Sequence, residues 1–179
     1  AVVYAPAHDP DLSGVGTVAG DYNRKELVEV MGASVLIGDA VAHYRRLCDK
    51  VPAIAFCVSV RHAEAVAAQF GAAGYRSQMI EGNTDKRVRR DAIRALGEGR
   101  LDVLTCCEIV SEGLDVPVCG AAILLRPTKS LALCYQQYGR VSRPMYAPGY
   151  DLSTADGRLA AIAAGPKPHS VILDHAGNC

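Results

Sequence analysis

The chain has 179 residues, half of them hydrophobic, which is enough for one domain with a buried core and short for two. Lys and Arg together number 19, as do Asp and Glu, so the formal net charge at pH 7 is zero. This balance excludes a disordered polyelectrolyte and a protein that binds nucleic acid over its whole surface, so any contact with a polyanion must come from a local cluster of cations.

Apolar runs of strand length alternate with segments of helical period along the chain. The runs predict strands at residues 1–5, 53–58, 77–80, 102–107, 120–125 and 170–174. The periodic segments predict helices at residues 23–31, 36–48, 61–72, 85–99 and 129–143, with Asp21, Ser59 and Ser130 as caps. Repeated alternation predicts the α/β class, in which a doubly wound, mostly parallel sheet carries helices on both faces. Two stretches interrupt it: a Gly- and Asp-rich loop at 8–23, and an insertion with one short helix at 145–168, within a single domain of residues 1–179.

The seven cysteines lie mostly in apolar runs and include neither a Cys-x-x-Cys pair nor a zinc-type grouping with histidines. We interpret them as small buried hydrophobic residues of a reduced, cytoplasmic protein and expect no metal site. No apolar run approaches the ~20 residues needed to span a bilayer, so no membrane is expected as a partner. The chain begins without Met, directly in a strand-like run, which favours a fragment of a longer protein.

Ligands of such sheets bind beyond the carboxyl ends of the parallel strands. This rule points to Ser59 and to residues 82–84, 107–115 and 126–129. In "SEGLDVP", Gly113 permits close approach of the backbone to a ligand, and Asp115 is placed to accept hydrogen bonds from a sugar hydroxyl or an arginine. A tight turn capped by the aspartate explains the same stretch equally well.

Two arginines lie near the end of the predicted helix that precedes the insertion. At helical spacing, one side of this helix carries Gln136, Gly139, Arg140 and Arg143. Gly139 thins that side, so a ligand or another backbone can approach. Two guanidinium groups one turn apart can bind phosphate oxygens and stabilise a transferring γ-phosphoryl group, and we expect them to leave the sheet at its ligand edge. The alternative is a pair of solvated cations at a helix end, where the helix dipole favours them.

Four stretches follow one another in order: "AIAFCVSVRHAEAVAAQF", "EGNTDKRVRRDAI", "VLTCCEIVSEGLDVP" and "QQYGRVSRP". Together they resemble the second RecA-like domain of superfamily II helicases, the first stretch being similar to motif IV, the third to motif V and the last to motif VI, Q-x-x-G-R-x-x-R. The resemblance covers residues 50–145 and extends loosely to both ends, which are similar to bacterial and phage RadD-type and XPB-type helicases. It implies a RecA-like fold of the P-loop NTPase type without a P-loop of its own.

The resemblance also implies a role for each residue that matches a motif position. The catalytic candidates, which match the motif VI residues that face the γ-phosphate of ATP, are Arg140, Arg143 and Gln136. The cofactor-binding candidates, placed near the ATP, are Gly113, Asp115 and Gly139. The candidates for contact with a nucleic-acid backbone are Ser59, Arg61, Gly82, Asn83, Thr84 and Cys107, the last of which stands where the family commonly has threonine.

These implied roles describe the C-terminal motor domain of an ATP-dependent helicase or translocase that acts on nucleic acid, with DNA preferred over RNA. The sequence has no G-x-x-x-x-G-K-[ST] loop and no acidic pair after a strand. ATP and Mg²⁺ would therefore be held mainly by an N-terminal RecA-like domain, and the isolated 179 residues are expected to be inactive. The alternative is a non-catalytic RecA-like module that binds nucleic acid or protein. A third possibility, a small-molecule enzyme on the same kind of sheet, has no nucleophile or cofactor loop to support it.

Overall fold

The main sheet of the described chain has six strands, and a separate hairpin has two. The computed structural model describes residues 1–6, 10–31, 34–107 and 116–178, with the backbone alone for residues 34–38. In chain order the strands are β1 (Val2–Tyr4), β2 (Thr17–Val18), β3 (Asp21–Tyr22), β4 (Ala53–Phe56), β5 (Ser77–Ile80), β6 (Val103–Cys106), β7 (Ala121–Leu124) and β8 (Val171–Asp174). The order across the main sheet is β1-β8-β7-β4-β6-β5, and every neighbouring pair is parallel. The predicted parallel sheet is confirmed.

The described residues form six helices. They are α1 (Arg24–Met31), α2 (Ser34–Cys48), α3 (Val60–Ala72), α4 (Lys86–Gly97), α5 (Leu131–Val141) and α6 (Ala155–Ala163). Ser59 and Ser130 cap α3 and α5 as predicted, because each hydroxyl accepts a hydrogen bond from the backbone amide three residues ahead, at 3.1 and 3.3 Å. In the part of the chain that the structure describes, none of the helices is both long enough and apolar enough to cross a membrane.

The core consists of two layers, one on each face of the sheet. Alternate residues of the central strand β4 divide between them: Ala53 and Ala55 pack in the layer covered by α2 and α3, whereas Ile54 and Phe56 pack in the layer covered by α4 and α5. This division follows from the two-residue period of a strand, whose successive side chains point to opposite faces. The expectation of helices on both faces is therefore also confirmed.

The six cysteines within the described residues are buried. Burial raises the pKa of the thiols of Cys106 and Cys119 to about 12 and the pKa of Cys57 well above its usual value. The interpretation of these cysteines as small buried hydrophobic residues is confirmed.

The sequence predicted that Asp21 caps the first helix, and this prediction is wrong. Asp21 lies instead in β3, which pairs with β2 across a tight turn in which Ala19 and Gly20 have φ values of 51° and 84°. Positive φ at both central residues is typical of a two-residue hairpin turn of type I′. Asn23 takes over the capping, because its side-chain oxygen accepts a hydrogen bond from the amide of Lys25 at 3.1 Å.

The stretch between α5 and β8 contains the predicted short helix, α6. The backbone amide of Ala147 donates to the carbonyl of Ala161 at 2.9 Å, which closes the stretch on itself. A Cβ atom at position 165 would lie 2.5 Å from the carbonyl oxygen of Met145, so Gly165 allows this close packing. Internal hydrogen bonds and close backbone contacts thus hold the expected insertion together.

Asp102, at the amino end of β6, is 3% exposed and accepts two hydrogen bonds from the guanidinium of Arg76, at 2.6 and 3.0 Å. These hydrogen bonds lower the pKa of Asp102. Because the folded pKa lies below the unfolded value of about 3.9, the stability that this pair contributes is present above that pH and is lost as the pH falls through the folded pKa. We expect Asp102→Asn to lower the free energy of unfolding at pH 7 by about 1–2 kcal/mol, measured by chemical denaturation.

The difference between wild type and Asp102→Asn should shrink when the same measurement is made at pH 3. Asp91→Asn is the matched control, because Asp91 is exposed and lies 3.8 Å from an exposed Arg94. Its effect should stay within about 0.5 kcal/mol. Equal losses for the two variants at pH 7 would contradict this account of the pair.

Candidate functional site

The predicted nucleic-acid contacts lie at the carboxyl edge of the sheet. Ser59 and Arg61 follow β4, residues 82–84 follow β5, and Cys107 follows β6. These three strands are neighbours and run parallel, so the segments after them meet at one edge. The structure therefore brings together the candidates that the sequence had placed on three separate stretches.

The loop after β5 is held by hydrogen bonds from Arg89, a residue that was not predicted from the sequence. One terminal nitrogen of Arg89, on α4, donates to the carbonyl oxygens of Glu81 and Gly82 at 3.0 and 2.8 Å. The amide of Thr84 donates to the carbonyl of Glu81, and its hydroxyl accepts from the amide of Glu81. The carbonyls are thereby turned towards α4, while Gly82 and Asn83 remain exposed. A sequence signal existed, since an arginine one turn inside a helix can reach back to the loop before it.

Exposed cations surround this loop. Asp85 caps α4 by accepting hydrogen bonds from the amides of Arg87 and Val88, and the first turns of the helix present Lys86, Arg87 and Arg90 to solvent. Arg61, at the start of α3, is exposed at the same edge. The chain is neutral overall, but this edge carries the local group of cations that contact with a polyanion requires.

Cys107 is placed differently from the other nucleic-acid candidates. Its side chain is 4% exposed and packs in the layer beneath α2 and α3. A contact from this position to a nucleic acid would therefore involve the backbone rather than the thiol. The cofactor-binding candidates Gly113 and Asp115 belong to residues 108–115, which lie outside the described residues.

Helix α5 runs from the carboxyl edge of the sheet to its amino edge. It begins after Ser130, close behind β7, and ends at Val141, whose carbonyl oxygen accepts a hydrogen bond from the hydroxyl of Ser170 at 2.6 Å. Ser170 immediately precedes β8, so the end of α5 lies at the amino ends of the strands. The helix ends two residues earlier than predicted, and Arg143 lies beyond its cap residue, Ser142.

The two motif arginines occupy different places. Arg140 is half-buried and lies close enough to Cys106, at the carboxyl end of β6, for its charge to favour the thiolate. Arg143 is exposed and lines a cavity of about 170 Å³ at the amino edge, together with Ala1 and Ser170. Each arginine also has an interaction within the chain. This arrangement differs from the fork at the ligand edge that the sequence predicted, because the helix ends between the two residues.

The outer face of α5 is open. Leu131, Tyr135 and Gly139 follow one another at four-residue intervals and form one stripe, in which Leu131 is 72% and Tyr135 69% exposed. Apart from its own helical turns, a Cβ atom at position 139 would meet no atom of the described residues within 4 Å, and Gln136 is exposed beside it. Two large apolar side chains next to a bare backbone position make this face suitable for contact with another protein surface.

Asp21, which the sequence assigned to a different role, clasps the hairpin to the start of α5. Its carboxylate accepts hydrogen bonds from the hydroxyl of Thr128 at 2.9 Å and from the amide of Lys129 at 2.8 Å. Burial would raise the pKa of Asp21, but the hydrogen bonds from the amides of Lys129 and Tyr22 and from Thr128 outweigh it, and the pKa is lowered. The ammonium group of Lys129 contacts the hairpin in turn. It donates to the hydroxyl of Thr17 at 2.7 Å and lies 4.6 Å from the ring centre of Tyr22.

Comparisons with known proteins identify a family to which this chain is similar. Residues 41–145 match the family model of the helicase conserved C-terminal domain. A 51.5 kDa protein of Lactococcus phage (isolate 7-9) is 34% identical over 133 residues, which is 74% of this chain and 29% of that protein. The putative ATP-dependent helicase IRC3 of Saccharomyces cerevisiae is 27% identical over 135 residues, 74% of this chain and 20% of that protein. The chain thus spans less than a third of either relative.

Solved structures support the fold. The structure is similar to a fragment of a putative HsdR subunit of a type I restriction enzyme from Vibrio vulnificus, with a TM-score of 0.63. The likeness covers 99% of this chain and 32% of that one at 14% identity, so it concerns the fold alone. The RecA-like α/β architecture is therefore confirmed, whereas the RadD-type and XPB-type subdivision stays a prediction.

Proposed function

The chain belongs to the family of helicase conserved C-terminal domains, and on that premise we propose that it is the C-terminal motor domain of an ATP-dependent helicase or translocase. The observation that carries the proposal is the position of the motif stretches: the matched residues 41–145 include the cationic carboxyl edge and the whole of α5. One end of the domain thus suits a nucleic-acid backbone, and one helix suits a partner domain.

At the carboxyl edge the domain would grip nucleic acid without reading its sequence. The exposed Gly82 and Asn83, the hydroxyl of Ser59 and the cations of α4 are groups that bind phosphate oxygens. These contacts are available to the backbone of either nucleic acid. We propose DNA as the preferred partner and include RNA in the test.

The nucleotide would lie between α5 and a preceding RecA-like domain. That domain would hold most of the ATP and the Mg²⁺, while Arg140 and Arg143 approach the γ-phosphate and Gln136 and Gly139 line the contact. The open stripe of Leu131, Tyr135 and Gly139 supports an approaching protein surface, since a close fit needs an uncovered helix face. ATP binding would close the two domains and hydrolysis would reopen them, which shifts the grip on the nucleic acid.

Gly113 and Asp115 keep their proposed place near the ATP ribose. Within the described residues no group of three His, Cys, Asp or Glu side chains is arranged to hold a metal ion. Since the sequence has no acidic pair after a strand, the carboxylates for Mg²⁺ would come from the preceding domain. Cation charge from this chain would act on the developing negative charge of the phosphoryl group.

The test is ATP hydrolysis by the full-length protein with single-stranded DNA, duplex DNA and RNA, compared with the 179-residue domain alone. We expect nucleic acid to stimulate turnover by the full-length protein, and we expect turnover by the folded domain to be at the level of the buffer blank, because the domain lacks a triphosphate cradle. Circular dichroism of the domain shows whether it is folded. A full-length protein that binds nucleic acid but hydrolyses no ATP would favour the non-catalytic module instead.

A further inference from the structure

Lys167 is a buried lysine whose ammonium group is fully engaged. It is 7% exposed, and its nitrogen donates to the carbonyl oxygens of Pro117, Cys119 and Val141, the last two at 3.1 Å. An ammonium group has three donors, so all of them go to backbone carbonyls. Peptide dipoles stabilise the charge here, and burial lowers the pKa of Lys167.

The three carbonyls belong to two separate parts of the proposed motor site. Pro117 and Cys119 lie in the segment that leads from residues 108–115 into β7, whereas Val141 is the last residue of α5. Carbonyls at a helix C-terminus lack partners within the helix and attract cations. The hydroxyl of Ser170 adds a second donor to the same carbonyl of Val141, at 2.6 Å.

Lys167 comes from the stretch between α5 and β8 that the sequence suggested was an insertion. A backbone hydrogen bond between Ala147 and Ala161 joins the two sides of this stretch. The side chain of Lys167 lies at the end of α5, where it donates to the carbonyl of Val141. Val141 directly follows Arg140 and lies two residues before Arg143. Whatever holds the carbonyl of Val141 therefore sets the position of both arginines.

We propose that Lys167 is a positioning residue, which joins the exit of the motif V stretch to the end of the motif VI helix and keeps Arg140 and Arg143 in place for the γ-phosphate. This inference rests on the proposed function. It assigns the 145–168 stretch a role in the motor site, since the stretch supplies a side chain that bridges both parts. Lys167→Met keeps the aliphatic stem and removes the ammonium, so it is the substitution that isolates the bridge.

The experiment uses the full-length protein. We expect Lys167→Met to lower kcat for nucleic-acid-stimulated ATP hydrolysis between about 10- and 100-fold, because the arginines lose their fixed position. KM for ATP should stay within about twofold, since the preceding domain holds most of the nucleotide. Lys167→Arg, which retains a cation at the helix end, should restore part of kcat. Lys25→Met is the matched control: Lys25 is exposed on α1, and the variant should keep wild-type turnover.

Two further measurements separate positioning from general stability. In an Arg140→Ala background, Lys167→Met should cost little further turnover, because it acts through the arginines. Amide hydrogen exchange should increase together at residues 118–120 and 142–143 in Lys167→Met, with the rest of the domain unchanged. Exchange that rises throughout the domain, or a kcat per folded molecule equal to wild type, would overturn the inference.

The outcome also distinguishes the inference from the proposed function. If Arg140→Ala keeps full turnover, the proposed function fails, and with it any role of Lys167 in positioning. If Arg140→Ala abolishes turnover while Lys167→Met does not reduce it, the motor assignment stands and only the inference about Lys167 is refuted.

Discussion

Replacing Arg140 with alanine in the full-length protein is expected to lower kcat for ATP hydrolysis by about 10³-fold or more, because an arginine at the γ-phosphate stabilises charge that develops in the transition state. The affinity for nucleic acid should remain within about twofold, since the cations of α4 lie on a different part of the domain. Steady-state hydrolysis and a fluorescence-anisotropy titration measure the two quantities on the same preparation. Arg140→Lys keeps the charge but loses the planar fork, so we expect partial recovery of kcat.

Arg143→Ala should cause a smaller loss than Arg140→Ala. Arg143 is exposed beyond the end of α5 at the amino edge, whereas Arg140 lies within the helix and is half-buried. Arg100→Ala is the matched control, because this exposed arginine lies outside the four motif stretches and pairs with Glu98 at 2.6 Å, and turnover should be unchanged. Wild-type turnover of Arg140→Ala would remove the main support for the motor assignment.

Gly139→Ala provides an independent check on the open face of α5. Alanine is favoured over glycine within a helix by about 1 kcal/mol, and within the described part of the chain the added methyl group would meet no atom outside its own helical turns within 4 Å. The domain should therefore be at least as stable as wild type in chemical denaturation. A fall in turnover together with unchanged stability would show that another surface approaches this position.

Neutralising the first turns of α4 is expected to weaken binding to nucleic acid of any sequence. Lys86, Arg87 and Arg90 are exposed beside the loop that Arg89 holds, and each phosphate contact adds about 0.7–0.9 to the steepness of the salt dependence. In the Lys86→Gln/Arg87→Gln/Arg90→Gln triple variant, the slope of log affinity against log salt should fall by about 2. Anisotropy titrations between about 50 and 200 mM salt measure this slope.

Arg94→Gln serves as the control for α4. Arg94 is on the same helix, but it lies nearer the other end and within 3.8 Å of Asp91. Its substitution should leave the salt slope unchanged and cost less than about 1 kcal/mol in stability. If Arg94→Gln lowers the slope as much as a single substitution at Arg87, the binding surface extends along the helix and is not confined to the carboxyl edge.

Local sequence patterns were sufficient to predict most of the fold. β5 spans Ser77–Ile80 as the apolar run predicted, and Ser59 and Ser130 cap their helices, because a hydroxyl just before a helical period acts on its nearest amides. The strand predicted at 53–58 is shorter in the structure because the apolar run continues past the paired residues into Cys57 and Val58. The predicted and observed ends of a strand thus differ where residues are hydrophobic because they are buried and not because they pair with a neighbouring strand.

The parts that were missed depend on contacts between distant residues. Asp21 bonds to Thr128 and Lys129, more than 100 residues away, so its capping pattern was outweighed by a tertiary contact. The hairpin strands have two residues each, too few for a periodic signal. Lys167 finds carbonyls 26 to 50 residues away, and no local pattern marks a lysine that will be buried.

In the candidate site, too, the features set by local sequence were predicted, and those set by contacts between distant residues were not. The loops after β4, β5 and β6 lie at the carboxyl edge, as the sequence predicted. They share this edge because the three strands are parallel neighbours in the sheet. The predicted helix end at position 143 is wrong, since α5 ends at Val141 and Arg143 lies beyond it, while the roles of Arg140 and Arg143 stay a prediction. The buried thiol of Cys107 likewise follows from packing against the layer beneath α2 and α3, which the motif pattern does not contain.

The buried thiols have a practical consequence for following motion in this protein. Alkylating dyes react with thiolates, and the thiols of Cys48, Cys106 and Cys119 combine burial with a pKa of about 12. Maleimide fluorophores should therefore leave these positions unmodified in the native state. The other described cysteines are also buried, so a single cysteine added on the surface, with Cys179 replaced, would carry one dye selectively on this domain. A second dye on the proposed preceding domain would then make the distance between the two domains accessible to energy-transfer measurements.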